Sequence, residues 1–131
     1  MSANNKYPIG LLLLIIMMLA AIALPSCAAE SSAKVNVTVG LTAKDFAFNT
    51  SSITVPAGSH VTVNFDNQDS NVRHNLAVYD SAAMKETIFK GELISGPKMI
   101  VYTFDAPATP GTYHFQCDPH ASMMKGQFIV I

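Results

Sequence analysis

From residue 35 onward, apolar and polar positions alternate in short runs separated by turn residues. Val35, Val37, Val39 and Leu41 occupy every second place, the period of a strand with one buried face. Val61, Val63 and Phe65 repeat that pattern soon after Pro56-Ala57-Gly58, a turn signal. Leu76 and Val78 follow His74 in a segment expected to run as one strand from Arg73 to Tyr79. Met99, Val101 and Phe104 lie in a run bounded by Gly96-Pro97 and by the turn from Pro107 to Gly111. Tyr113, Phe115 and Cys117 alternate so that the cysteine faces inward, and Gln127 to Ile131 is a closing apolar strand. Between Ser81 and Glu92 the signals are mixed, and a short helix is expected. Short strands, Gly/Pro turns and the absence of an internal repeat predict an all-β fold, a Greek-key antiparallel β-sandwich. A domain of roughly a hundred residues can bury a core between two sheets without disulfides.

The start of the chain has a different pattern. Ile9 to Leu24 is an almost unbroken apolar run, and Lys6 is the only charge ahead of it. At roughly 16 residues it is slightly longer than a signal-peptide apolar region and shorter than the ~20 needed to span a bilayer. It ends in Leu24-Pro25-Ser26-Cys27-Ala28-Ala29. A Leu three places before a Cys, with Ser directly ahead of that Cys, resembles the lipobox of bacterial lipoprotein signals. That resemblance implies that Cys27 is the lipidated first residue of the mature protein. Ser26-Cys27-Ala28 also fits a small-x-small cleavage site that releases a soluble protein, and an uncleaved segment would remain as an anchor. On each reading residues 1–27 are a leader or membrane anchor, 28–34 a Ser/Ala-rich linker and 35–131 the folded domain. The domain is expected to work outside the cytoplasm, in the periplasm or at the cell surface, held to the membrane through its N-terminus.

Composition adds little to this. The 50% hydrophobic content is inflated by the leader, and the net charge of -1 points to no partner. No basic stripe with interleaved aromatics is present, so nucleic acid is not implied. The cysteines are more informative. Cys27 belongs to the leader, so a bond to Cys117 would tether a flexible terminus and is not expected. A lone cysteine in an oxidising compartment is a liability unless something ligates it.

Chemistry concentrates in Cys117-Asp118-Pro119-His120-Ala121-Ser122-Met123-Met124-Lys125-Gly126. A thiolate, an imidazole and a thioether share one loop, and His74 offers a second imidazole from a distant strand. Thiolate and thioether suit Cu(I), imidazole suits both oxidation states, and two His, one Cys and a weakly held Met form a copper site for electron transfer. Each residue also has a plainer reading: Cys117 as a small buried hydrophobe, His120 as a surface loop residue. His60, opening a strand, and His114, facing away from Cys117, are read as ordinary surface residues. Met84 and Met99 are read as core or surface filler.

The residues from Val35 to Ile131 resemble a small type 1 (blue) copper protein of the cupredoxin family, similar to plastocyanin, amicyanin and pseudoazurin. The motifs that carry the resemblance are Tyr113-His114-Phe115-Gln116-Cys117-Asp118-Pro119-His120, Met124-Lys125-Gly126, His74-Asn75, and Val55-Pro56-Ala57-Gly58 followed by Val61 to Phe65. The resemblance implies one copper ion with His74, Cys117 and His120 as equatorial ligands and Met124 as the axial one. Short-loop members place the Met three residues after the second His, which makes Met123 the alternative. It further implies that Asn75 ties the Cys loop to the neighbouring strand. Pro119, lacking an N–H, removes one donor from the sulfur and so raises the potential.

The leading expectation is therefore a monomeric one-electron carrier, not an enzyme, that meets membrane redox partners at a face around His120, Pro119, Ala121 and Met123. An extracytoplasmic copper chaperone or store is the alternative, suggested by the paired Met123-Met124. A Cys–His nucleophile lacks the orienting residue and oxyanion loop it would need. A copper oxidase lacks further His-rich sites. A metal-free adhesive sandwich requires the Cys117 loop to be accidental.

Overall fold

A computed structural model describes residues 33–131. The leader, Cys27 and most of the linker lie outside the described residues. The strands are β1 (Asn36–Lys44), β2 (Ala47–Phe48), β3 (Ser52–Val55), β4 (His60–Asn67), β5 (Arg73–His74), β6 (Ala77–Tyr79), β7 (Thr87–Lys90), β8 (Ile94–Ser95), β9 (Lys98–Asp105), β10 (Gly111–Gln116) and β11 (Lys125–Val130). One sheet has the order β2-β1-β4-β9, the other β3-β11-β10-β6-β7, and β5 and β8 form a separate pair.

The period-two pattern accounts for both inner faces. Leu41, Ala43, Val61, Val63 and Phe65 are fully buried, while Gly40, Lys44 and Asn64 next to them are exposed and Thr42 and Thr62 are half-buried. The second sheet contributes Ile53, Val55, Val78, Phe115, Phe128 and Val130 to the same cluster. Each of these large side chains contributes about 1.5–3 kcal/mol by leaving water. On β9 the inward set is Ile100, Tyr102 and Phe104, whereas Met99 and Val101 are exposed. Met84 is likewise a surface residue.

Three expectations need correction. The sheets are mixed rather than antiparallel: β1 runs parallel to β4, with Asn36 opposite His60, and β3 runs parallel to β11. Alternation is the same in either case, so the sequence pattern could not distinguish them. The stretch from Ser81 to Glu92 holds a turn and then β7, with no helix. Asp80 and Ser81 accept the N–H groups of Glu86 and Ala83 (3.1 and 3.3 Å), and such side chains compete with helix formation. Met84 sits at φ 52, and Phe89 stacks on Phe104 with centroids 4.5 Å apart. Finally, Arg73 to Tyr79 is two strands. His74 pairs with Ile94, whereas Ala77 pairs with Gln116 in a different sheet.

Gly126 shows why the Met-x-Gly motif needs its glycine. A Cβ there would meet the Phe115 ring at 2.5 Å and would press on the Ser51 carbonyl. Gly126→Ala should destabilise the metal-free protein by about 1–3 kcal/mol, the usual range for overpacking. Urea denaturation would measure it.

Candidate metal centre

Cys117 lies one residue beyond β10 with φ -91 and ψ 119. That extended backbone keeps its side chain on the inward side set by Phe115. Asp118–His120 then winds a 3-10 turn with Pro119 near its start, where a missing N–H breaks no backbone bond. His120 N–H donates to the Cys117 carbonyl (3.1 Å), and the N–H groups of Met123 and Met124 donate to the His120 carbonyl (3.0 and 2.9 Å). Cys117 N–H donates to the Met124 carbonyl (2.9 Å) and closes the loop. Backbone bonds therefore convert the spacing of Cys, His and Met into one compact ring.

His74 enters from β5, so the site is fastened at two distant points of the chain. Its Nδ1 lies 3.5 Å from Cys117 Sγ and 3.1 Å from His120 Nδ1, and His120 Nδ1 lies 3.6 Å from the sulfur. The centre of a triangle with these edges is roughly 2 Å from every corner, the length of a metal–imidazole bond and a little short of a metal–thiolate bond. The donor set and its spacing fit a single small ion, and two imidazoles with one thiolate in a trigonal arrangement select copper when a Met is at hand. His74, Cys117 and Met124 are all 0% exposed, whereas Met123 is 61% exposed. Burial separates the two methionines that spacing left open. Met124 belongs to the interior cluster that contains Cys117, and Met123 points to solvent.

Two further rings of contacts hold these donors. Asn75 accepts the Asp118 N–H (2.9 Å) and donates to the Gly91 carbonyl (3.1 Å) and to the Asp118 carboxylate (3.2 Å). It thus ties the Cys117 loop to the segment between β5 and β6 and to Gly91. Asp118 also accepts from Tyr79 (2.7 Å) and Gln116 (3.3 Å) and pairs with Lys90 at 3.2 Å. On the other side, Asp69 Oδ2 lies 2.8 Å from His74 Nε2. Phe46 sets its ring edge-on to His120 and His74, with centroids 4.9 and 5.7 Å apart.

The electrostatics follow from burial opposed by hydrogen bonds. Burial pushes the Cys117 thiol above its ordinary value in the metal-free protein, while the backbone N–H groups of Asn75 and His120 favour the thiolate and the Asp118 charge opposes it. A bound cation favours the thiolate. Burial likewise lowers His120, and the neighbouring His74 adds to that. Burial raises the Asp118 carboxyl, but the bonds from Tyr79, Asn75 and Gln116 outweigh it and hold the group below the usual carboxylate range. Tyr79 is pushed up from 10.0 to about 12 by burial and then by Asp118. The unfolded chain releases the Tyr79 proton first as pH rises, so the stability of this contact is complete below pH 10 and falls between about 10 and 12. Absorbance at 295 nm should show a tyrosine ionising at about 12 that Tyr79→Phe removes.

Of the residues singled out in the sequence, the structure brings His74, Cys117 and His120 together, and Met124 lies in the buried cluster that contains Cys117. His60 and His114 stay outside the cluster. His60 Nδ1 lies 2.9 Å from Asp105, and His114 Nε2 lies 3.1 Å from Gln116. Sequence reasoning missed Asp69, Phe46 and Tyr79, and gave Asp118 no role. Asp118 carried a signal, since it directly follows Cys117. Asp69 carried none that separates it from Asp66, three residues earlier.

Comparison with known proteins agrees with this geometry. The profile of the Cupredoxin-like domain matches residues 12–130. Auracyanin-A of Chloroflexus aurantiacus is 27% identical over 126 residues, covering 77% of each chain. The solved structure of auracyanin A, described as a "blue" copper protein from that green thermophilic photosynthetic bacterium, superposes with a TM-score of 0.66 at 26% identity. It covers 73% of this chain and 99% of its own. Amicyanin from Paracoccus versutus shares the fold, with a TM-score of 0.52 at 23% identity over 72% of this chain and 81% of its own.

Proposed function

The chain belongs to the cupredoxin family, and from that membership we propose that it is a one-electron carrier built on a mononuclear type 1 copper site. The observation that carries the reading is the largely buried triangle of two Nδ1 atoms and one Sγ within 4.8 Å of one another, with Met124 in the buried cluster that holds Cys117. When bound, copper supplies a one-electron couple between Cu(I) and Cu(II). The protein's part is to hold His74, Cys117, His120 and Met124 in a shape that suits both states. Strand ends and a hydrogen-bonded loop do this, which keeps reorganisation small. Burial of three of these four residues closes the site to substrates, so a carrier fits better than an enzyme. His120 alone keeps part of its surface, beside the exposed Pro119 and Met123. This apolar face is where we place brief, weak encounters with redox partners.

A copper chaperone or store would use Met123 and Met124 together in an open site. Their opposite exposures argue against such a pair. The two readings separate in a competition experiment. The full chain is loaded with one equivalent of copper and challenged with excess chelator, then its potential is measured by voltammetry. A carrier keeps its metal and gives a reversible one-electron wave; rapid loss of the metal sinks the proposal.

The same reading extends to the N-terminal segment. We propose that residues 1–27 direct export, that Cys27 is lipidated, and that residues 28–34 link the anchor to a monomeric domain working in the periplasm or at the cell surface. An anchor would raise the carrier's effective concentration near membrane redox complexes. Mass spectrometry of the mature N-terminus, compared with that of Cys27→Ala, tests this directly.

A further inference from the structure

We propose that Asp69 is a positioning residue of the centre, one carboxylate that fixes both the proton on His74 and the turn that seats Phe46 against the two imidazoles. The inference rests on the copper-site reading and names what keeps that site in shape.

The His74 ring is fully buried. Its Nε2 lies 2.8 Å from Asp69 Oδ2, and the Asp69 side chain is only 10% exposed. An ionised carboxylate only accepts hydrogen bonds, so Nε2 carries the proton. Nδ1 then keeps its lone pair, aimed at Cys117 Sγ and His120 Nδ1. The other tautomer would place a proton where a metal ligand is required. A partner on the far nitrogen is the usual device for orienting a ligating histidine.

The same carboxylate also holds the β1–β2 turn. Lys44 pairs with Ala47, so Asp45 and Phe46 are the whole loop, at φ 53 and 57. Two-residue hairpin loops of this kind favour Asn-Gly or Asp-Gly, and a bulky residue at positive φ is an outlier. The same Asp69 carboxylate accepts both strained N–H groups, Asp45 at 2.7 Å and Phe46 at 3.1 Å. Strain of this sort persists only where its surroundings enforce it. The result is that Phe46, a 39% exposed phenylalanine, lies against both imidazoles instead of in the core.

The carboxylate is itself firmly mounted. Asp69 N–H donates to Asn67 Oδ1 (3.1 Å), and the buried Asn67 amide donates to the carbonyls of Val72 and Ile94 (both 2.9 Å). Three N–H groups thus converge on one rigid acceptor. An asparagine at position 69 cannot serve all three, because one end of its side chain is a donor.

The test uses the full chain. In the metal-free wild type, 15N-edited NMR of the imidazoles at pH 7.5 should show His74 as the Nε2–H tautomer. Asp69→Asn should lose that single tautomer and bind Cu(I), measured against a competing chelator, roughly 10- to 100-fold more weakly. Phe46→Gly relieves the turn but leaves the His74 tautomer as in wild type. An Nδ1–H tautomer in the wild type overturns the proposal without any variant, and so does an Asp69→Asn protein whose tautomer and Cu(I) affinity are unchanged. If the wild type binds copper without thiolate colour, the copper-site reading fails, and the tautomer result stands apart from it.

Discussion

Cys117→Ser should turn the copper-loaded protein colourless. The visible band expected for the wild type arises from charge transfer between a thiolate and Cu(II), and a serine hydroxyl offers neither the charge nor the soft donor. Size does not confound the comparison, because oxygen is slightly smaller than sulfur and the position is fully buried between two imidazoles. The metal-free variant should stay folded, within about 1–2 kcal/mol of wild type, since the hydroxyl can hydrogen-bond to the same nitrogens. The absorption spectrum of each protein, recorded after one equivalent of Cu(II), checks this. Colour that survives in Cys117→Ser would remove the sulfur from the centre.

The second large effect is expected from Met124→Leu, and not from Met123→Leu. Leucine matches methionine in volume, so the exchange should cost less than about 1.5 kcal/mol of stability even at a fully buried position. What it removes is the thioether lone pair. Fewer donors leave the more highly charged Cu(II) state less well neutralised, so the reduction potential should rise, the axial ligand being one of its main determinants. Met123, at 61% exposure, should leave both the potential and the spectrum unchanged on the same substitution. Voltammetry on the pair decides between them. A shift produced by Met123→Leu and not by Met124→Leu would reverse the assignment.

Much of the site was legible because the chemistry is concentrated in a few residue types. Cys117 and His120 sit three places apart, and the inward alternation of Tyr113 and Phe115 fixes which way the sulfur faces. His74 stood out as a second imidazole followed by an asparagine. The choice between Met123 and Met124 was beyond spacing alone, since it depends on how the loop closes through the bond from Cys117 N–H to the Met124 carbonyl. Strand positions were legible wherever alternation was clean, as at Val61, Val63 and Phe65. Strand direction was not, because the parallel partners Val37 and Val61 alternate as antiparallel partners would. The break between β5 and β6 was hidden for a related reason. His74, Asn75, Leu76, Ala77 and Val78 are all buried, and a continuous buried run shows no periodicity to interrupt. Asp69 and Phe46 were invisible because their roles come from a strained turn. At Phe46 local preference points away from the backbone conformation that the fold imposes.

X-ray absorption at the copper edge, on the oxidised and the reduced full chain, addresses the preformed centre most directly. One sulfur and two nitrogens close to the metal in both states, with distances nearly unchanged, is the expected result for a triangle of Sγ and two Nδ1 atoms held at 3.5, 3.6 and 3.1 Å. A first shell without sulfur, or a ligand set that changes on reduction, would contradict it.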